Sequence, residues 1–223
     1  MPDRRSLRQA AYENLRRGIL ESRYPPGSLL SENQLADELN ISRTPIREAL
    51  RDLATAGLVR ILPQRGVVVS ELTVQDAVEV YQIRQQLECF AARLAAERMT
   101  EPQRVGFIAD HSMALAHLAA GDQRLAYDFS VMMHIRIIDM ARNARLTQIM
   151  NQLADQTHRF GLLTLRNGRA APAIGEHGEI IAAISAQDGD LAERLMRGHL
   201  LADRDMVLSL ILPAGVSAPA LAS

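Results

Sequence analysis

The 223-residue chain has one cysteine, no tryptophan and no lysine, and aromatic residues make up only 4% of it. A single thiol, Cys89, excludes an internal disulfide and fits a reducing, cytoplasmic compartment. Apolar runs long enough to cross a bilayer, about 20 residues, are missing, and the opening stretch MPDRRSLRQAAYENLRRGIL lacks the apolar core of a signal peptide. No membrane association is expected. The absence of lysine leaves arginine as the only strong side-chain cation, so anion contacts fall to planar, bidentate donors. What is abundant is aliphatic: 48% of residues are hydrophobic, the profile of a helix-rich globular protein.

The formal net charge of −1 conceals a split. Residues 1–70 carry 11 Arg against 8 acidic residues, and residues 71–223 carry 14 against 18. A basic front and an acidic back point to two domains, 1–72 and 73–212, with PAGVSAPALAS (213–223) as a disordered tail. In the front part, Leu7, Ala11, Leu15 and Ile19 recur at helical spacing before the stop RYPPGS. Ser31 opens a second helix with a capping box to Gln34, and Ser42 caps a third whose core face is Ile46, Ala49, Leu50 and Leu53. Pro45 must lie in that helix's first turn, and Gly57 ends it. Two β-branched runs around PQRG then read as a hairpin. Three helices and a hairpin in 70 residues predict a winged helix-turn-helix, the hairpin being the wing.

From Thr73 the hydrophobic period is 3.6 throughout. Helices are expected near 73–99, 101–120, 122–141, 144–167, 173–186 and 189–210, with short connections that favour an antiparallel bundle. The fold class is therefore mostly α, a winged helix-turn-helix followed by an all-helical bundle.

The segment SRTPIRE places Arg43, Thr44 and Arg47 on the first turns of the third helix. A helix N-terminus already carries partial positive charge and unpaired N–H groups, so arginines there are costly unless an anion meets them. The second helix of a helix-turn-helix enters the DNA major groove by that end, where an arginine fork matches the O6/N7 edge of guanine and a threonine reaches phosphate or a base edge. Arg65 and Gly66 at the wing tip would follow the adjacent minor groove or backbone. A solvent-facing pairing of Arg47 with Arg51 or Glu48 is the plain alternative for that residue alone; the four groups together favour DNA.

PPGSLLSENQLADELNISRTPIREALRDLATAGLVRILPQRGVVV resembles the N-terminal domain of GntR-type bacterial transcription regulators. The remainder resembles the effector-binding FCD domain of the FadR branch, on IRQQLE (83–88), HIRIIDMARN (134–143) and EHGEIIAAISAQDGDLAERLMRGHL (176–200). Six C-terminal helices would suit the shorter VanR-like group. The resemblance implies a homodimer on a pseudo-palindromic operator, controlled by a small metabolite, often a carboxylate. It places the DNA contacts on Arg43, Thr44, Arg47, Arg65 and Gly66, with Asn33 where relatives carry a basic residue.

Within the bundle, His177 shares a face with Ile174, Ile181 and Ile184, and His199 shares one with Leu191, Leu195, Ala202 and Met206. Each lies eleven residues from Asp188 at the turn, so the two imidazoles stand level, about 16 Å along an antiparallel pair. Core histidines are commonly just hydrogen-bonded packing, but levelness together with the family resemblance favours a shared polar site. The resemblance adds His134 from the same cavity, and with it an effector set of Arg84, Ser130, His134, Asn143, His177 and His199. Three imidazoles suit Zn²⁺ or Ni²⁺. The family's aspartate one turn before the first histidine is here Ser130, Asp128 lies on another face, and Met133 replaces an aromatic. Water, an effector carboxylate or no metal at all are the alternatives at that position. Arg84, in line with Val80, Leu87 and Ala91, reads either as an i,i+4 partner of Glu88 or as a carboxylate anchor, the second being preferred. Glu176 and Glu179 should project off the face of His177, and His111, His117, His158 and Cys89 read as packing or surface residues. Two other functions compete: a DNA-binding dimer without an effector, and a metal-dependent hydrolase. Against the hydrolase, there is no HExxH and no evident nucleophile–base pair.

Overall fold

The computed structural model describes residues 4–212; the expected disordered tail lies outside them. The described chain divides into two compact units. One runs to Leu72 and includes Ala154–Arg159; the other comprises Thr73–Leu153 and the residues from Phe160 on.

The first unit contains α1 (Arg4–Leu20), β1 (Leu29–Leu30), α2 (Glu32–Leu39), α3 (Arg43–Thr55), β2 (Val59–Leu62) and β3 (Gly66–Val69). Its core is the stripe predicted from helical spacing: Ala11, Leu15 and Ile19 of α1 meet Ile46, Ala49, Leu50 and Leu53 of α3, closed by Leu35, Leu58, Val67 and Val69. Asn40 makes the turn between α2 and α3 in the left-handed region (φ 51°), which asparagine tolerates, and its N–H caps α2. Gly57 (φ 73°) lets the chain leave α3 and enter β2. β2 and β3 form the antiparallel wing, with Leu62 opposite Gly66.

Two local details depart from expectation. β1 pairs with β3, giving a third strand in the order β1-β3-β2; two residues are too few to show strand alternation. Ser42 occupies the N-cap of α3 without a side-chain cap hydrogen bond. The third helical residue, a usual target of that cap, is Pro45, which has no N–H. Ser31 does cap α2, accepting from the Gln34 N–H at 3.4 Å.

The second unit contains α4 (Val74–Arg98), α5 (Glu101–Ala119), α6 (Gln123–Met140), α7 (Ala144–Leu165, apart from its stretch Ala154–Arg159), α8 (Ala170–Ser185) and α9 (Gly189–Ile211), six helices among the described residues. Helix starts are chemically marked. Thr73 with Asp76 and Thr100 with Gln103 form capping boxes, and Asp122, Asn143 and Asp188 cap α6, α7 and α9. α8 starts at Ala170, earlier than its spacing suggested, because Pro172 is accommodated in its first turn. α4 is the central member, packed against α6, α8 and α9 through Ala91, Ala92, Ala95 and Ala96, whose small side chains let the helices approach closely. No described helix is long and apolar enough to cross a membrane.

Ile46 is fully buried at the crossing of α3 with α1. Ile46→Ala should remove about 2–5 kcal/mol of stability, read as a lowered urea midpoint with an unchanged slope.

Candidate functional site

Two sites emerge, one in each unit. In the first, α3 exposes Arg43, Thr44 and Arg47 while Pro45 and Ile46 point inward. The proline shapes this end: it fixes the first turn, and without a serine cap the backbone donors there are not claimed by Ser42. Both arginines reach the same anion, Glu32 at the start of α2. Arg47 donates through Nε (3.0 Å) and Nη2 (2.8 Å), and Arg43 through Nη2 (3.3 Å). The hydrogen bond from Arg47 holds the Glu32 carboxyl below the usual carboxylate range against the opposing effect of burial, with a smaller contribution from Arg43. The partner of Arg47 is thus neither Glu48 nor Arg51. Sequence spacing could not find Glu32, because it lies 15 residues away across the turn. Asn33 is exposed beside Glu32, and Arg65 is exposed at the wing, where Gly66 (φ 98°) turns the chain back into β3.

In the second unit, α6, α8 and α9 bring His134, His177 and His199 together, with ligand nitrogens all within 4.8 Å of one another. His177 Nε2 and His199 Nε2 are 3.2 Å apart, and the His134 ring lies 5.1 Å from each of the other two. The levelling of His177 and His199 about Asp188 is therefore realised. His111 instead bonds the Ile174 carbonyl and His117 stacks on Phe129.

Carboxylates orient two of the rings. His134 Nδ1 lies 2.6 Å from Glu88 Oε2, and His199 Nδ1 lies 2.7 Å from Glu176 Oε2. Burial alone would raise both carboxyls. Arg84 and His134 overcome it at Glu88, holding that group well below its usual range, and His199 and Arg169 hold Glu176 down at about 2. Both are ionised acceptors, so each histidine donates from Nδ1 and turns its Nε2 away from the carboxylate. Burial lowers His134 despite Glu88, and burial followed by the neighbouring histidines lowers His177 further. Both are therefore neutral at pH 7, as metal ligands must be.

A wider ring of charge surrounds the histidines. Arg84 Nε bonds Glu88 at 2.6 Å, both side chains being buried. Arg169, at the N-cap of α8, holds Glu176 through both Nη groups and Asp203 through Nε at 2.7 Å. Three carboxylates against two guanidiniums leave one negative charge beside three imidazoles, an environment that favours a cation. The 3.2 Å spacing of the two Nε2 atoms serves an N–H···N hydrogen bond or two ligands on one ion, whose tetrahedral edge is about 3.3 Å. The donor set fits a divalent ion of borderline softness.

Three expectations need amendment. Arg84 meets Glu88, its i,i+4 neighbour, since both heads turn inward on α4 where each needs the other to offset desolvation. Asn143 caps α7, its Oδ1 accepting from the Arg145 and Leu146 N–H groups. Glu176 does leave the face of His177, but arrives at His199 on the neighbouring helix. As expected, Asp128 lies on another face, paired with Arg124, and Ser130 is buried one turn before His134. Glu88, Glu176 and Arg169 were not legible as site residues, because only packing brings them to the histidine cluster; Asp203 stands one helical turn after His199, a spacing present in the sequence but not singled out. Cys89 is buried, and burial pushes its thiol up to about 11, which suits packing and not reactivity.

Comparison with known proteins agrees with this geometry. Residues 7–69 match the family described as "Bacterial regulatory proteins, gntR family", and residues 79–202 match the "FCD domain". The chain is 32% identical to the HTH-type transcriptional repressor RspR of Escherichia coli (strain K12), covering 87% of this chain and 86% of the other. It is also 32% identical to the "Probable D-xylose utilization operon transcriptional repressor" of Paenarthrobacter nicotinovorans, over 82% and 81% of the two chains. The solved structure of E. coli McbR/YncC matches with a TM-score of 0.76 at 20% identity, covering 94% of this chain and 99% of that one, a likeness of fold. These families and relatives are transcription regulators and not enzymes. The chain belongs to the GntR family of bacterial transcription regulators, with a DNA-binding helix-turn-helix domain followed by an FCD effector domain.

Proposed function

We propose that this chain binds a pseudo-palindromic operator as a homodimer and responds to a small, carboxylate-bearing metabolite held in the helical unit, beside a Zn²⁺ or Ni²⁺ ion on His134, His177 and His199. As a DNA-binding regulator it works in the cytoplasm. The carrying observation for DNA is the joint exposure of Arg43, Thr44 and Arg47 at one end of α3, with Arg65 and Gly66 on the wing and Asn33 alongside. Glu32 shows what these forks accept: a planar anion, held bidentately. In the complex, a guanine edge takes that place for Arg47 and phosphate for its neighbours.

For the helical unit, support comes from the convergent histidines and the residual negative charge around them. A bound divalent ion would supply positive charge and an open position for an anionic ligand. His134 and His199, braced at Nδ1 by Glu88 and Glu176, are oriented to offer Nε2 to such an ion. Ser130 and Arg84 complete the lining as a small hydroxyl and a buried cation. Asn143 serves that pocket by fixing the start of α7. A second copy of the chain is favoured by the surface of the α5–α6 pair. Val105, Ile108, Met113, Leu115, Leu125, Met132 and Ile135 are large, apolar and exposed there, whereas an isolated domain seldom leaves so many together.

Arg47→Ala should weaken binding to a selected operator by roughly 5- to 150-fold and relax base preference at one position. Arg65→Ala should weaken all DNA more evenly and reduce the salt slope by about 1. Site selection with purified protein, followed by titration at several salt concentrations, measures both; equal specific and non-specific affinity for Arg47→Ala and the parent would end the recognition-helix assignment.

Sedimentation equilibrium should give a dimer at micromolar concentration, and Ile108→Glu combined with Met132→Glu should give a folded monomer. A parent chain that stays monomeric with and without DNA would contradict the dimer.

Calorimetric titration of chelator-stripped protein with Zn²⁺ or Ni²⁺ should show one ion per chain, with the uptake lost in His177→Ala or His199→Ala. Carboxylate metabolites should then raise the melting temperature more in the loaded protein than in the stripped one.

A further inference from the structure

Glu32 begins α2, where the helix dipole favours a carboxylate, and a surface ion pair is its plain reading. That accounts for the charge and leaves its direction unexplained. Ser31 already caps α2 through the Gln34 N–H, and the Glu32 carboxylate instead reaches across the turn to α3. There it lies between two forks. Its Oε2 accepts from Arg47 Nη2 at 2.8 Å and from Arg43 Nη2 at 3.3 Å, and its Oε1 accepts from Arg47 Nε at 3.0 Å. The first turn of α3 has no acidic residue of its own. The end of α3 that presents Arg43, Thr44 and Arg47 therefore also presents one acceptor group among the donors, and α2 supplies it.

A G·C base pair has the complementary order. On its major-groove edge guanine offers N7 and O6 as acceptors, and cytosine offers its N4 amino group as a donor beside them. Guanine O6 and cytosine N4 are hydrogen-bonded to each other, at about 2.9 Å. Arg47 Nη2 and Glu32 Oε2 stand 2.8 Å apart. A fork on guanine and a carboxylate oxygen on cytosine thus fit one base pair without parting from each other. Arg47 above all keeps the carboxyl below its usual range, so the group is ionised and can only accept. Facing guanine or thymine it would meet acceptors, and the amino group of adenine is flanked by the acceptor N7. DNA that offers this carboxylate no donor leaves it unpaired in the negative field of the phosphates, which disfavours binding.

We infer that Glu32 is a base-reading residue, accepting from the N4 amino group of the cytosine paired with the guanine that Arg47 takes. The inference rests on the recognition-helix reading proposed above. It makes Glu32 a determinant of specificity in its own right, and one that lies outside the recognition helix.

The test uses the full chain and its selected operator, with base analogues placed at the pair that Arg47→Ala identifies. A cytosine analogue lacking the N4 amino group should weaken the parent roughly tenfold and should cost Glu32→Ala little. A guanine analogue with carbon in place of N7 should cost both proteins alike, because Arg47 still reads that base. Glu32→Ala should bind non-specific DNA more tightly and the operator less tightly, whereas lost charge alone would raise both affinities. Glu38→Gln, an equal charge change at the other end of α2 where Glu38 pairs with Arg23, should leave the ratio of the two affinities unchanged. The analogues act on the unaltered parent chain, so a poorly folded variant does not hide the answer. A parent indifferent to the missing amino group, yet sensitive to the missing N7, overturns this inference and keeps the Arg47 reading. Sensitivity to neither analogue removes both readings. An equal loss of affinity in the parent and in Glu32→Ala on removing the amino group assigns the effect to the duplex and overturns the inference, as does a parallel rise of both affinities in Glu32→Ala.

Discussion

Glu88 is the residue on which the helical unit depends. Its carboxylate is buried, and a lone charge there would cost several kcal/mol. It is tolerated because Arg84, one turn back on α4, supplies the opposite charge, and because His134 on α6 donates to the remaining oxygen. The pair is of little intrinsic worth set against a packed apolar alternative, so its presence points to a task beyond stability. That task is orientation. By accepting a hydrogen bond from His134 Nδ1–H, Glu88 directs the opposite nitrogen toward two other histidines, and Glu176 does the same for His199.

The two sites use arginine in opposite ways. In the bundle, Arg84 and Arg169 are buried, and each is matched to carboxylates that themselves grip a histidine. The guanidiniums act as scaffolding. In the helix-turn-helix, Arg43 and Arg47 are exposed and lean on a single carboxylate, Glu32, in high-dielectric surroundings where such a pairing contributes little. A pair that weak can be exchanged for a phosphate or a base edge at small cost, while Glu32 still keeps the forks extended along α3. A chain without lysine meets both demands with one residue type because the planar fork suits buried bidentate pairing and groove recognition alike.

The backbone supports this division. α3 begins at a serine that makes no side-chain cap bond and has proline in its first turn, which leaves its end suited to an outside anion. The helices of the bundle begin at threonine, aspartate or asparagine caps, with Arg169 before α8 as the exception. There the residue at the cap position is employed in the charged ring instead.

Much of this was legible in the chain itself, and the limit falls at a physical boundary. Hydrophobic period, caps and prolines are local properties, so α1, α2, α3, the wing and the six bundle helices could be read within a few residues, as could the exposed arginines of α3. The level placement of His177 and His199 was also readable, since both lie equidistant from one turn and the rise per residue is constant. Side-chain partnerships across helices are a different matter. Glu32 with Arg47, Glu88 with His134, Glu176 with His199 and Asp203 with Arg169 join residues on separate elements or across a turn. Arg84 shows the same limit within one helix: spacing offered both Glu88 and an outside carboxylate, and burial of both heads selected the pair. The sequence by itself determined which elements form and which faces they bury, because those follow from local propensity and periodicity. Only the tertiary structure decided which charges meet, because desolvation forces buried groups to find partners and packing alone brings those partners within reach.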